Sequence, residues 1–322
     1  MNTRRDFIKT GAALGAAFSF TDLGGLFAAA PATKSTRLTT GPGGTPLLVA
    51  VRDGTRASML ESALAALGGI GRFVKKGQSV VIKPNIAWDV APERSANTHP
   101  ELVQRLVEIC LGAGASRVSV FDFTCDRDWE SCYKRSGIRA AVEKAGGKMV
   151  PGNDPKLFRA VNIPKGVRLK EAKIHSAILD NDVFINVPVL KHHQGATITA
   201  AMKNLMGIVW DRRFYHQNDL HQCIADFISV PTLRPVLNII DAYAPMVRNG
   251  PRGKSVSDVI SVKTLLASTD IVAIDAAAAK ILGHGEDTIP HVKLASDAGY
   301  GSCHLDTLKI QRIRLRNSSL AA

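Results

Sequence analysis

Short apolar runs alternate with helical patterns along most of the chain. Continuous apolar runs of about five residues are typical of strands that are buried on both faces of a sheet. Six such runs are predicted as strands: 47–51, 79–82, 117–121, 183–187, 236–240 and 262–266. A seventh run, 308–315, alternates apolar with basic residues and predicts a half-exposed edge strand.

Between these runs, apolar residues recur with the spacing of a helix. Six segments are predicted as helices: 58–67, 100–112, 138–145, 198–209, 219–228 and 271–282. Strands and helices in alternation imply an α/β fold, with a mostly parallel sheet flanked by helices in a single large domain.

The amino-terminal segment follows a different pattern. Thr3 to Lys9, with the pair Arg4-Arg5, matches a twin-arginine export motif, and the Gly/Ala-rich stretch behind it is too interrupted for a membrane span. The alternative is an ordinary terminus with a chance Arg-Arg pair. We expect a signal peptide over 1–32, a linker over 33–46 and an α/β domain over 47–316. The expected partner is the twin-arginine translocase, and the expected location is the periplasm.

The charge balance is compatible with a nucleic acid, an anionic lipid or a small anion as the ligand. The chain carries 41 Lys and Arg against 28 Asp and Glu, a formal net charge of +13. Its basic residues are dispersed, no block of five occurs, and aromatic residues make up only 6% of the chain. Because nucleic-acid binding usually needs a clustered basic surface, we expect a small anionic ligand and no nucleic acid.

Five cysteines are present, and none belongs to a C-x-x-C pair. This spacing excludes the motifs of a zinc ribbon and of a ferredoxin-type iron–sulfur cluster. Cys110 and Cys223 occupy apolar helix positions and are interpreted as core residues. A bridge between Cys125 and Cys132 stays open, although the odd total argues against a disulfide scaffold.

Lysines follow two of the predicted strands. In open α/β sheets, ligands bind beyond the carboxyl ends of the strands, where Lys83 and Lys191 are placed. Together with polar neighbours they would form a pocket for a carboxylate or phosphate. The predicted substrate-binding residues are Lys83, Asn85, Lys203 and Asn204. The alternative is that each lysine forms a structural ion pair with Asp122, Asp241 or another acid.

Histidines supply the candidate proton-transfer groups. Lys191, His193 and His221 are the predicted catalytic residues. His216, Asp219 and His221 could form a two-histidine, one-carboxylate metal site, with acid–base or structural roles as the alternative. The turn 250–253 is expected to cover the site. There is no G-x-G-x-x-G after a strand and no G-x-S-x-G, so a classical dinucleotide site and a serine-hydrolase elbow are not indicated.

Several segments taken in order resemble the domain of unknown function 362 family, over roughly 47–301. They are Val81–Asn85, Thr98–Pro100, Asn186–His193, Met202–Gly207, His221–Asp226, Ile240-Asp241, Gly250-Pro251 and Ser268–Ala276. The resemblance implies a single α/β domain and one site that includes the predicted lysines, asparagines, His193 and His221. In many relatives it also implies an association with iron–sulfur chemistry through an added cysteine-rich segment, which this chain lacks.

Two functions are consistent with these observations. The first is an exported enzyme that acts on a small anionic substrate or is linked to redox metabolism. The alternative is a non-catalytic periplasmic protein that binds a ligand or matures a cofactor or redox enzyme, with a periplasmic redox protein as its partner. The cofactor is not indicated by any motif, and a metal ion stays open.

Overall fold

The computed structural model of this chain describes residues 41, 44 and 47–315. Its strands are β1 Leu48–Arg52, β2 Ser79–Pro84, β3 Arg117–Val120, β4 Lys148–Met149, β5 Phe158–Asn162, β6 Glu171–His175, β7 Val183–Val187, β8 Val189–His193, β9 Thr197–Thr199, β10 Leu237–Met246, β11 Thr264–Ser268 and β12 Ile310–Arg314.

Its α-helices are α1 Arg56–Ala66, α2 Pro100–Gly112, α3 Trp129–Arg135, α4 Ile138–Lys144, α5 Ser176–Leu179, α6 Ala201–Asn204, α7 Arg212–Gln217, α8 Leu220–Phe227, α9 Ile271–Ile281 and α10 Pro290–Asp297. Short 3-10 turns connect several of them. The predicted signal peptide and most of the predicted linker lie outside the described residues.

One large sheet organises the domain. Its strand order is β12-β1-β11-β10-β7-β2-β3-β4, and β8, which pairs with β10, carries β9. Most neighbours are parallel, whereas β11 runs antiparallel to both β1 and β10. A separate two-stranded sheet is formed by β5 and β6. The predicted α/β fold with a mostly parallel sheet is therefore confirmed, and β12 lies at the sheet edge as its alternating pattern predicted.

The two faces of the sheet carry separate hydrophobic cores. Alternate residues of a strand serve opposite cores, since successive side chains point to opposite faces. Val80 and Ile82 pack with the helices α1, α2 and α4, whereas Val81 packs with α6, α8 and α9 on the other face. Burial on both faces explains the continuous apolar runs of the central strands.

Two segments differ from the sequence prediction. The predicted helix 198–209 is instead the strand β9, the single turn α6 and a 3-10 turn at Leu205–Ile208. The residues after Val187, which the sequence placed beyond the end of a strand, form the further strand β8, which pairs with the far half of β10. Both errors have one cause, because a short apolar run is compatible with either element and only the long-range partner decides between them.

None of the helices in the described part of the chain is both long and apolar enough to cross a membrane.

Candidate functional site: a cationic cavity at the sheet edge

A cavity of about 420 Å³ opens where β2 and β3 end and β8 and β9 pass beside them. Four of its lining residues are basic: Lys191, Lys203, Arg212 and Arg213. His193 and His216 also line it, and Asp122 is the one carboxylate among the described residues that do so. The cavity is therefore strongly cationic, at the edge where open α/β sheets bind ligands.

Lys83 lies beneath the cavity and neutralises this carboxylate. The register of β2 with β7 places Lys83 opposite Asn186, near the end of the strand. Its Nζ atom is 2.8 Å from Asp122 Oδ1 and donates a hydrogen bond to Asn204 Oδ1 at 3.0 Å. Burial lowers the pKa of Lys83, and Asp122 opposes that shift. The alternative of a structural ion pair thus holds for Lys83.

Lys191 has no such carboxylate partner among the described residues. It is buried in the middle of β8, and its ammonium donates hydrogen bonds to Asn85 Oδ1 at 2.7 Å and to the Ala96 carbonyl. Burial lowers its pKa to about 7, and the positive charge of Lys203 adds to that effect. Lys191 can therefore lose or accept a proton near neutral pH.

Lys203 is the ammonium that faces the cavity without a partner. It has no hydrogen bond or ion pair to any of the described residues. Burial lowers its pKa to about 8, and Arg212 contributes to the shift. The Thr199 hydroxyl, also in the cavity wall, is buried and has no hydrogen-bond partner in the described part of the chain.

The hydrogen bonds of His193 fix its tautomer. Its Nδ1 atom accepts from the backbone N–H groups of Gly195 and Ala196, both at 3.0 Å. The proton of the neutral ring must therefore sit on Nε2. Burial, with Lys203 and Lys191 nearby, lowers the pKa of His193 to about 2. His193 can donate a hydrogen bond to a ligand, but it is not a base that takes up a proton at neutral pH.

Arg212 joins the loop after β3 to the cavity wall. Its guanidinium donates hydrogen bonds to the carbonyls of Phe123 at 2.9 Å and Thr124 at 2.7 Å, and stacks 4.0 Å from the Phe123 ring centroid. The same group lies 3.4 Å from the Cys125 sulfur. These contacts hold the loop and place a thiol at the rim.

Asp275 and Gly207 position the segment that carries Lys203. The Asp275 carboxylate on α9 accepts from the N–H groups of Ala201 at 2.6 Å and Met202 at 2.9 Å, at the start of α6. At Gly207, a Cβ atom would stand 2.0 Å from Asp122 Oδ1 and 2.7 Å from Lys83 Nζ. The backbone can approach the buried ion pair here only because residue 207 has no side chain.

The structure brings most of the predicted site residues together. Six of them line the cavity: Asn85, Lys191, His193, Lys203, Asn204 and His216. Lys83 supports them from below. Sequence reasoning missed Thr199, Arg212 and Cys125, although Cys125 lies only three residues beyond the strand-end residue Asp122. Pro251, in the turn predicted to cover the site, also lines the cavity.

The three predicted metal ligands do not converge. His216 lines the cavity, and Asp219 accepts a hydrogen bond from the Gln222 N–H as the cap of α8. His221 is not part of the cavity wall, because its Nδ1 atom faces Nδ1 of the buried His291 at 3.1 Å. Within the described residues, no group of three His, Cys, Asp or Glu side chains is placed to hold a metal ion.

The cysteines do not fit an iron–sulfur cluster either. All five are free thiols, four of them buried, and only Cys125 is exposed. The bridge between Cys125 and Cys132 is not formed. Because a cluster needs several thiolates around one point, the donor set of this chain does not match that cofactor.

The family model described as "Domain of unknown function (DUF362)" matches residues 80–280. The chain belongs to this family. The matched stretch contains Lys83, Lys191, Lys203 and Asp275, so the cavity lies within the part that defines DUF362. No specific activity is established for the family.

Among characterised sequences, the chain is similar to a thylakoid-associated protein of Synechocystis sp. The two are 28% identical over 256 residues, which cover 74% of this chain and 73% of that protein.

Two solved structures are more distant. The lactate racemase apoprotein from Thermoanaerobacterium thermosaccharolyticum has a TM-score of 0.46 at 11% identity, over 71% of this chain and 56% of that one. A protein from Thermotoga maritima has a TM-score of 0.43 at 12% identity, over 75% of this chain and 59% of that one. The chain thus spans less than two thirds of the length of either structure.

Proposed function

We propose that this DUF362 protein binds a small carboxylate- or phosphate-bearing ligand in the cationic cavity. The observation that carries the proposal is the ammonium of Lys203, which lies beside Lys191 and has no partner in the described part of the chain. Among the described residues, the one carboxylate of this wall, Asp122, is already paired with Lys83. Lys203 is half-buried, so its charge is only partly solvated and has no counterion among the described residues, and an anion from solution would be drawn to this point.

The polar groups that face the cavity are mainly donors. Lys203, His193 Nε2–H and the guanidinium of Arg213 can donate to ligand oxygens, while Trp88 and Met206 supply apolar walls. A compact anion with several acceptor oxygens and a small apolar part fits this combination.

Lys191 gives the cavity a group for proton transfer. Since burial lowers its pKa to about 7, it is partly neutral under physiological conditions and can act as a general base on a bound anion. We therefore favour an enzyme over a non-catalytic binding or maturation protein. Turnover of a bound compound would separate the two, since both functions require binding.

Calorimetry on the purified mature protein tests the binding step. Inorganic phosphate and succinate are the probes, titrated into wild type, Lys203→Met and Lys144→Ala. Lys144 lies at the exposed end of α4, so its variant removes the same charge away from the cavity. We expect at least one probe to bind wild type and Lys144→Ala, with a loss of about tenfold or more in Lys203→Met. Equal binding by all three proteins would refute the cavity as the site.

We also propose that the chain is exported by the twin-arginine route to the periplasm. The pattern around Arg4 and Arg5 supports this step. Changing both to lysine should leave the precursor in the cytoplasm, as judged by fractionation and immunoblotting. Unchanged export of the double variant would overturn the proposed route.

A further inference from the structure

Cys125 is held rigidly at the rim of the cavity. Its backbone N–H donates to the Ala87 carbonyl at 2.8 Å, and the next N–H, of Asp126, donates to the same oxygen at 3.1 Å. Arg212 fixes the two preceding carbonyls. The thiol is therefore exposed while its backbone is anchored to neighbouring elements, which is the arrangement that a reacting group needs.

Positive charge surrounds this thiol. Arg212 Nη1 lies 3.4 Å from Sγ. Burial lowers the pKa of Lys191 and of Lys203, and the interaction with the side chain of Cys125 is the strongest influence opposing both shifts, which places this side chain close to both ammonium groups. The acids nearby are engaged elsewhere, since Asp122 pairs with Lys83 and Asp126 lies 3.4 Å from Arg252.

Two further groups in the same cavity lack partners. The Thr199 side chain is only 4% exposed, and its hydroxyl has no hydrogen-bond partner among the described residues. The Lys203 ammonium likewise has none within that part of the chain. Both groups are suited to hold a ligand oxygen, so a ligand that they bind would be presented to the sulfur at the rim.

We propose that Cys125 is a nucleophile of this cavity, which reacts with electrophiles whose carboxylate or phosphate group is held by Lys203. This inference rests on the anion-binding function proposed above. In the step, the sulfur forms a bond to the electrophilic carbon, the leaving group departs with its electron pair, and the thiol proton passes to solvent.

Alkylation rates provide the test, with iodoacetate as the anionic probe and iodoacetamide as the neutral one. With iodoacetate, an S–C bond forms and iodide leaves. Mass spectrometry of the native protein follows each cysteine, and the four buried cysteines serve as internal controls. We expect the iodoacetate-to-iodoacetamide rate ratio at Cys125 to exceed that of the urea-unfolded chain by about tenfold or more. High salt and added phosphate should both reduce it.

Variants separate the charge effect from simple exposure of the thiol. Lys203→Met should slow iodoacetate more than iodoacetamide, because it removes the charge that attracts the anionic probe in addition to any effect on the thiol itself, and Lys144→Ala should change neither rate. A native ratio equal to that of the unfolded chain would overturn the inference, and this measurement needs no variant to fold. Calorimetry with phosphate on Cys125→Ser distinguishes the two proposals. If this variant still binds phosphate but the wild-type protein shows no raised rate ratio at Cys125, the nucleophile is rejected and the anion site remains supported.

Discussion

At the scale of single residues, the cavity separates two kinds of lysine. Lys83 is fully buried and has a carboxylate partner, so its charge is matched and its role is structural. Lys191 is held by an amide and a carbonyl, neither of which carries charge. Lys203 has neither kind of partner among the described residues. The three lysines therefore differ in role: Lys83 supports the structure, and Lys203 is the one most available to a ligand, with Lys191 between them.

The pKa of Lys203 predicts how anion binding depends on pH. Because its pKa is lowered to about 8, the charge that attracts the anion is lost as pH rises through that value. Succinate is fully ionised above neutrality, so a change in its affinity there reports on the protein. We expect succinate affinity to fall about tenfold between pH 7 and pH 9, measured by calorimetry at constant ionic strength.

The Lys203→Arg variant is the matched control. A guanidinium stays charged over this range, so the variant should retain most of its affinity at pH 9. The loss that remains reports on Lys191, whose pKa is about 7. An identical pH profile for wild type and Lys203→Arg would show that Lys203 does not titrate against the ligand.

At the scale of elements, the sequence predicted a strand or helix correctly where its signal lies within the element itself. The runs 79–82 and 183–187 predicted β2 and β7 because burial on both faces leaves a continuous apolar signature. The segment 198–209 was predicted wrongly as one helix. Its actual shape depends on pairing with β8 and on contact with the Lys83–Asp122 pair, and neither is visible in the segment itself.

The residues of the site likewise divide into those that a local pattern reveals and those that depend on distant parts of the chain. Lys83 and Asn85 could be predicted because strand ends in an α/β sheet meet at one edge. Lys191 was predicted by the same rule because it follows shortly after the end of β7, although it lies within β8. Thr199 and Arg212 reach the cavity from a three-residue strand and a six-residue helix, which leave little periodic signal. His221 was misplaced because its partner, His291, comes from a helix 70 residues further along the chain.

Gly207 offers a test of how tightly these elements fit. A methyl group at this position would overlap Asp122 Oδ1 and crowd Lys83 Nζ, so Gly207→Ala must displace the 3-10 turn or separate the buried ion pair. We expect a loss of about 3 kcal/mol in the free energy of unfolding, measured by urea denaturation. Anion affinity should also fall, since the turn follows directly after Lys203 and Asn204.

Gly112→Ala is the control for this substitution. Gly112 ends α2, and a Cβ atom there would meet no atom within 4 Å outside its chain neighbours and the backbone of its own helix. Its replacement should leave stability unchanged or slightly improved, because alanine restricts the unfolded chain and favours the helix. If both variants unfolded at the same urea concentration as wild type, the packing assigned to Gly207 would be wrong.

At the scale of the whole molecule, most of the basic residues are dispersed, but several of them gather at the cavity. A formal net charge of +13 is spread over the sequence, yet the cavity gathers four basic side chains around a single, already paired carboxylate. Solvent screens dispersed charges, whereas a recessed site with low-dielectric walls keeps its potential. The net charge alone would have suggested a general polyanion binder, but the structure concentrates its effect at a site for a small ligand.

Buried histidines predict the response of the whole domain to acid. Burial lowers the pKa of His175 to about 4, of His193 to about 2 and of His291 to about 3. Each stays neutral in the folded protein while its unfolded counterpart takes up a proton below about 6.5. Their contribution to stability is therefore present above that pH and is lost as the pH falls towards the folded values.

The ionisation of Asp275 opposes the effect of the histidines, and the difference between the two effects sets how steeply the free energy of unfolding depends on pH. Burial raises its pKa to about 7, so between pH 7 and pH 4 the folded form holds a proton that the unfolded form releases. The pKa values of His99, His216, His221 and His284 are lowered like those of the three buried histidines, and the pKa of Asp270 is raised like that of Asp275. Histidines therefore outnumber carboxyl groups, unfolding takes up about two protons or more, and stability should fall by at least about 2 kcal/mol per pH unit between pH 6 and pH 4.5. Urea denaturation at successive pH values measures this slope.

The His291→Gln variant tests the contribution of one ring. Unfolding of this variant should take up about one proton fewer than unfolding of the wild type, because the amide does not titrate, and the slope should be smaller by the same proportion. A slope that is near zero in wild type, or unchanged in the variant, would mean that these rings are already protonated in the folded protein and are not buried as described.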